Sequence, residues 1–263
     1  MLTPDEVDTY NREGWVIPKN FQLNEEELER LRKAIDAVLQ ENSEILPDRM
    51  INTHLDGGGP YGIKGQKAIY DIAHDPRILD MAEAIMGPDL ILLFTHLFCK
   101  PATSSRAVPW HQDGPFWPVT PLASCTIWIA LDKVDEENGA MRVIPQSHLG
   151  EYHQHNLVDN PNSTLNREID LSKVDQTKAA TIELEPGQVS LHDIGIIHGS
   201  APNTSSRRRA GLALRYMPST SWMFRQQKNA AANWTNMPME LVRGENRHKG
   251  NDFSKGDYGR PWQ

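Results

Sequence analysis

Three residues of this 263-residue chain have the types and spacing to hold a metal ion. His111 and Asp113 lie two apart in Trp110-His111-Gln112-Asp113-Gly114, and His198 opens the run His198-Gly199-Ser200-Ala201-Pro202-Asn203, 85 residues past Asp113. Side chains two apart on one strand point the same way. With the distant histidine, the pair can therefore occupy one face of an octahedral iron(II), leaving open positions for a cosubstrate and oxygen. The imidazoles would bind as neutral ligands, and the carboxylate would offset part of the dication's charge. Zinc accepts the same donors, so ligand identity alone leaves both metals open.

Chance supplies His-x-Asp pairs too, and a second one stands at His54-Leu55-Asp56. Context separates them. His54 leads into Gly57-Gly58-Gly59-Pro60, whereas His111 follows one apolar, strand-like run and precedes another.

Around the triad, several further motifs occur in a fixed order: Phe98-Cys99-Lys100-Pro101, Pro109 to Asp113, Ile127-Trp128-Ile129-Ala130-Leu131-Asp132, Glu137-Asn138-Gly139, Ile144-Pro145-Gln146-Ser147-His148, and His198 to Arg209. Together they resemble the phytanoyl-CoA dioxygenase family of iron(II) and 2-oxoglutarate-dependent oxygenases, from about Thr3 to about Ser219. Gln146 departs from the family's glycine before Ser-His, which is expected to alter a turn. Beyond Trp222 no family pattern is evident.

The resemblance implies iron(II) on His111, Asp113 and His198, with 2-oxoglutarate as cosubstrate. Arg209, eleven residues past His198, would grip the far carboxylate through two parallel hydrogen bonds. Gly211 and Ala213 share its strand face and would leave a slot for a slender diacid. Trp128, Ser200, Thr126 and Lys100 are further candidates for the cosubstrate pocket. An intact Asp113 favours hydroxylation or another oxidation, because related halogenases carry a small residue there to admit chloride. The substrate side should hold Gln112, Phe116 and Trp117, which closely follow the metal ligands, with Arg106, Tyr61, Lys64 and His96, and also His54, Lys67 and Trp222. The expected substrate is a small polar metabolite: a carboxylate, an amino acid-like molecule or a phosphonate. An oxygen-independent cupin-like metalloenzyme and a non-catalytic binding module are the alternatives, and a binding module has no use for a complete triad plus Arg209.

Composition sets outer bounds. A formal charge of −8 argues against a general nucleic-acid binder. No apolar run approaches the roughly 20 residues needed to span a bilayer, and the start lacks a basic segment followed by an apolar core. A cytoplasmic location is expected. Two cysteines, Cys99 and Cys125, are too few for a disulfide framework and read as core residues suited to a reducing compartment. No heptad or interface stripe indicates an oligomeric state.

The elements that must position these residues are also legible. Thr3 and Pro4 start a helix that should end near Gly14. Asn24 and Glu27 form a capping box before the apolar stripe Leu28, Leu31, Ile35 and Val38. A further helix runs over 76–86, until Gly87-Pro88. Strands are expected at Leu90 to Lys100, Cys125 to Leu131, Met141 to Ile144, Ala179 to Leu184, Val189 to His192 and Arg209 to Met217. This indicates a mainly β sandwich or barrel with flanking helices, which the resemblance narrows to a double-stranded β-helix, the cupin-like jelly roll. The expected organisation is a single oxygenase domain over 1–263, with helices in 3–40 and 76–86 buttressing a core of about 89–219 and a tail over 220–263. The long polar stretch 150–178 could cover the site, and 48–67 reads as a movable lid.

Overall fold

In the computed structural model, residues 1–56, 59–103, 105–225, 234–253 and 262 are described. Gly57 and Gly58 of the glycine-rich loop lie outside them. The chain begins with α1 (Pro4–Glu13), β1 (Trp15–Val16), α2 (Glu25–Glu41), β2 (Met50–Ile51), α3 (Lys67–Ala73) and α4 (Pro76–Met86). Then come β3 (Leu90–Lys100), β4 (Val108–His111), β5 (Val119–Thr120), β6 (Cys125–Ala130), β7 (Met141–Val143), β8 (His155–Leu157) and β9 (Arg167–Ile169). The last strands are β10 (Ala180–Ile182), β11 (Val189–Asp193), β12 (His198–Ser200), β13 (Arg209–Pro218), β14 (Trp222–Met223) and β15 (Glu240–Arg243).

The helix signals act as their chemistry requires. Thr3 and Glu6 cap α1 reciprocally, and Gly14 closes it at φ 80°. Asn24 accepts from the Glu27 amide at 2.9 Å while Glu27 accepts from the Asn24 amide at 2.9 Å, an arrangement worth about 1 kcal/mol. Leu28, Leu31, Ile35 and Val38 of α2 are buried, as are Ile78, Leu79, Met81 and Ala82 of α4. They pack in one cluster with Leu90, Leu92, Ile127, Leu212 and Leu214. The helices thus cover one face of a sheet and leave its other face to build the site.

That sheet runs β1-β11-β6-β13-β3-β15, with β2 also paired to β3. A second sheet runs β10-β7-β12-β4. The fold is mainly β with flanking helices, a jelly roll. Each strand expected from the sequence forms, with ends shifted by no more than two residues.

Four expectations need correction. Asp113 is not on a strand: β4 ends at His111, and Asp113 has helical backbone angles (φ −67°, ψ −38°) just before a 3₁₀ turn. Gln146 does not alter its turn; it takes the left-handed conformation (φ 66°, ψ −1°) that glycine favours, and its amide donates to the Glu13 carbonyl at 2.9 Å. The segment past 219 is not a mere tail, since β15 pairs with β3, and Trp234, Met237 and Met239 pack against Phe94 and Trp117. The described part of the expected lid is anchored: β2 pairs with β3, and the Asn52 amide donates to the Thr95 carbonyl at 2.8 Å.

Candidate metal and cosubstrate site

His111 and His198 face each other across the antiparallel β4–β12 pair, in register. Directly opposed residues on such strands hold their Cβ atoms about 5 Å apart, which is how two histidines distant in sequence become neighbours; their ring centroids are 4.1 Å apart. Asp113 follows on the turn after β4, with its Oδ1 3.5 Å from His111 Nε2. One ligand atom from each of the three side chains lies within 4.8 Å of the others, and all three residues are buried.

The hydrogen bonds around the triad settle which nitrogens face inward. His111 Nδ1 lies 2.9 Å from the Pro109 carbonyl and His198 Nδ1 3.0 Å from the Ile196 carbonyl. A carbonyl only accepts, so both Nδ1 atoms carry hydrogen and both Nε2 lone pairs are left for a cation. Burial, reinforced by His111, drives the His198 imidazole well below its usual pKa, which favours the neutral ligand form. Burial alone would raise the Asp113 carboxyl, yet its charged surroundings, Arg215 first, outweigh it and hold it well below the usual carboxylate range. Asp113 Oδ2 is buried with no hydrogen-bond partner. Two free imine nitrogens and an unsatisfied carboxylate oxygen fit a divalent cation.

Two cavities adjoin the triad. The narrower is lined by Trp128, His192, His198, Ser200, Arg209 and Ala213, among others. Arg209 is buried, donates from Nη2 to the Gly139 carbonyl at 2.7 Å, and lies 5.4 Å from the Trp128 ring centroid. Its Nε, the Ser200 hydroxyl and both ring nitrogens of His192 are buried without partners among the described residues. Unpaired buried donors are costly, so this many in one chamber mark the seat of a polar ligand with acceptors to offer. Burial moves His192 down to about 4 and leaves it neutral. The larger cavity, about 160 Å³, lies against His111 and Asp113 and is walled by Phe94, Phe98, Phe116, Trp117 and Trp234.

The structure brings some expected residues to these chambers and keeps others away. Trp128, Ser200 and Arg209 line the narrow one; Phe116, Trp117 and His96 line the large one. The small residues past Arg209 make room differently than expected: a Cβ on Gly211 would fall inside the Trp128 ring, so Gly211 admits the indole. Lys100 and Thr126 are buried but line neither chamber. The Lys100 amino group donates to the Ala201 carbonyl instead, and burial with the neighbouring Arg209 charge pushes its pKa down to about 6.

Gln112 turns away: its amide donates to the Gly195 carbonyl at 2.8 Å and its oxygen accepts from the His153 amide at 2.9 Å. Arg106 is paired to Asp48. Lys64 is exposed, and Tyr61 packs against the core. His54 is buried against Thr95, Lys67 pairs with Asp71, and Trp222 stacks on His248.

Several lining residues escaped the sequence reading. Phe94 and Phe98 alternate with His96 on β3, a same-face pattern that could have flagged them. Arg215 lines both chambers; it shares a strand face with Arg209, and that signal was available. Leu165, Asn166 and Arg167 bring the long 150–178 stretch to the larger cavity.

The family model for phytanoyl-CoA dioxygenase matches residues 10–211. Over 157 residues the chain is 32% identical to a probable alpha-ketoglutarate-dependent hypophosphite dioxygenase of Stutzerimonas stutzeri, covering 59% of this chain and 54% of that one. It is 24% identical to an L-proline trans-4-hydroxylase of Streptomyces griseoviridis, over 79% of this chain and 83% of that one. Among solved structures, the non-heme monooxygenase ThoJ superposes with a TM-score of 0.73 at 24% identity, over 92% of this chain and 84% of that one.

Proposed function

We propose that this chain, which belongs to the phytanoyl-CoA dioxygenase family, hydroxylates an unactivated carbon of a small polar metabolite: a carboxylate, an amino acid-like molecule or a phosphonate. It is an iron(II)- and 2-oxoglutarate-dependent dioxygenase. The observation that carries the residue assignment is the convergence of two Nε2 atoms and a carboxylate beside a chamber whose buried donors lack partners.

In this reading His111, Asp113 and His198 hold iron, and their Nδ1 bonds to Pro109 and Ile196 fix both rings before metal arrives. Arg209 takes the far carboxylate of 2-oxoglutarate, Ser200 and His192 offer further hydrogen bonds, and Trp128 forms the wall. Bound together, iron and 2-oxoglutarate supply an oxidant able to remove hydrogen from an unactivated carbon, with succinate and carbon dioxide as co-products. Phe116, Trp117 and the other aromatic walls exclude water and hold the target carbon near the metal face. A cavity of about 160 Å³ accepts a molecule on the order of a benzene ring, which favours a small metabolite over a coenzyme A thioester. The hypophosphite and proline in the relatives' names are small as well.

We read residues 1–263 as one oxygenase domain. Cys99 and Cys125 are free, buried thiols, which suits a reducing cytoplasm that also keeps iron ferrous. No helix among the described residues is long and apolar enough to cross a membrane. The test is succinate release from 2-oxoglutarate in the presence of iron(II), oxygen and a panel of small acids. Stimulation by a panel member, abolished in Asp113→Ala, is the expected result; full turnover in Asp113→Ala would refute the assignment.

A further inference from the structure

Arg215 stands six residues past Arg209 on β13, about 20 Å further along the strand at the usual rise. It is 5% exposed. Three aromatic rings surround its guanidinium, with centroids 5.0 Å (Phe94), 5.4 Å (Trp117) and 5.9 Å (Phe98) away. Its Nε and Nη1 are buried without hydrogen-bond partners among the described residues.

The simplest role for such an arginine is to brace the Asp113 carboxylate, but the geometry is wrong for that. Among the described residues its one ion-pair approach is Nη2 to Asp113 Oδ2 at 3.5 Å, too long for a hydrogen bond. Two part-buried pairs elsewhere in the protein show the two-pronged geometry of a firm brace. Arg208 holds Asp132 through Nε at 2.9 Å and Nη2 at 3.1 Å, and Arg106 holds Asp48 through Nε and Nη2. Arg215 instead keeps two donors free and borders the larger cavity as well as the narrow one.

Charge counting points the same way, and it rests on the iron and 2-oxoglutarate reading above. The metal dication and Arg209 balance the 2-oxoglutarate dianion and Asp113. Lys100 is held near neutrality by burial, and His96, beside Arg215, is pushed down to about 3 by burial and by the Arg215 charge. Among the described residues that line the two chambers, Arg215 is the buried positive charge left over, and a buried charge without a balancing anion is expensive.

We infer that Arg215 is the substrate anchor: it receives an anionic oxyacid head group, carboxylate or phosphorus oxyanion, in the aromatic-walled cavity beside Asp113, while Arg209 serves 2-oxoglutarate in the other chamber. The two arginines on one strand face divide the two acids between them. A guanidinium fork suits either head group, since both present paired oxygens to parallel N–H donors. The aromatic box holds the fork in place and leaves the rest of the substrate against apolar walls.

The test uses protein loaded with iron(II) and 2-oxoglutarate under anaerobic conditions, titrated with acetate, methylphosphonate and, as the neutral control, acetamide. Trp117 lies against the guanidinium, so tryptophan fluorescence reads occupancy, with shifts of the visible ferrous band as a second signal. Acetate or methylphosphonate should saturate and acetamide should not, and the preferred anion identifies the head group. Arg215→Gln should weaken anion binding at least tenfold, and by at least fivefold more than it weakens iron or 2-oxoglutarate binding, and Arg215→Lys should restore part of it. Equal binding of acetamide, undiminished anion binding in Arg215→Gln, or a parallel loss of iron and anion affinity in that variant would overturn the assignment. Wild-type protein that forms no 2-oxoglutarate complex would instead refute the cosubstrate reading beneath it.

Discussion

Replacing Lys100 by methionine should remove a pH dependence that the folded protein carries because this amine is buried. Lys100 is 2% exposed, and its pKa falls from the usual 10.5 to about 6, through burial first and the Arg209 charge second. Between these two values the unfolded chain binds a proton that the native state does not, so unfolding free energy rises with pH across the window. The contribution is fully present above 10.5 and is lost as pH falls toward 6. The slope for one proton is about 1.4 kcal/mol per pH unit, or about 2.7 kcal/mol between pH 7 and 9.

Urea denaturation of metal-free wild type and Lys100→Met at pH 7, 8 and 9 measures this directly. Wild type should gain about 2.7 kcal/mol on the variant over that range. Parallel curves would refute the reasoning, because they would mean that the amine stays protonated in the fold. The functional consequence is that Lys100 brings no charge to the cosubstrate chamber, so 2-oxoglutarate affinity in Lys100→Met should stay within about twofold of wild type near neutral pH.

Arg209→Ala should weaken 2-oxoglutarate binding by about 3 kcal/mol, on the order of 100-fold, by removing one partner of a buried charge pair; calorimetry should show iron affinity unchanged. Gly211→Ala places a methyl group inside the Trp128 ring and should drive the indole into the chamber. Overpacking of about 1–3 kcal/mol would lower Tm by roughly 2–4 °C per kcal/mol and raise the 2-oxoglutarate Kd on the order of 5- to 150-fold. An unchanged melt and unchanged affinity would mean that Trp128 does not cover Gly211.

Local signals were the readable ones. The Thr3 cap, the Asn24 capping box, the Leu90–Lys100 strand and the context of His111 all rest on neighbours in sequence, and each has its expected form. Long-range register was not readable: the pairing of His198 with His111 depends on how four strands assemble, and the family resemblance stood in for it. Gln112 was misjudged because proximity to metal ligands says nothing about which way a turn residue faces; its amide is consumed by Gly195 and His153. Arg106, Lys67 and Lys100 read as free cations because their partners Asp48, Asp71 and the Ala201 carbonyl are set by packing and turn geometry rather than by any motif. The short, half-buried β15 carries too little apolar periodicity to announce itself, yet it pairs with β3 beside the site wall.

The most direct test of the central claim is an anaerobic titration of metal-free protein with iron(II) and then 2-oxoglutarate, following the visible charge-transfer band of a chelated ferrous complex. A band that forms in wild type and is lost in His111→Ala is the predicted result. Iron binding without a band in wild type, or a band that survives in His111→Ala, would contradict it.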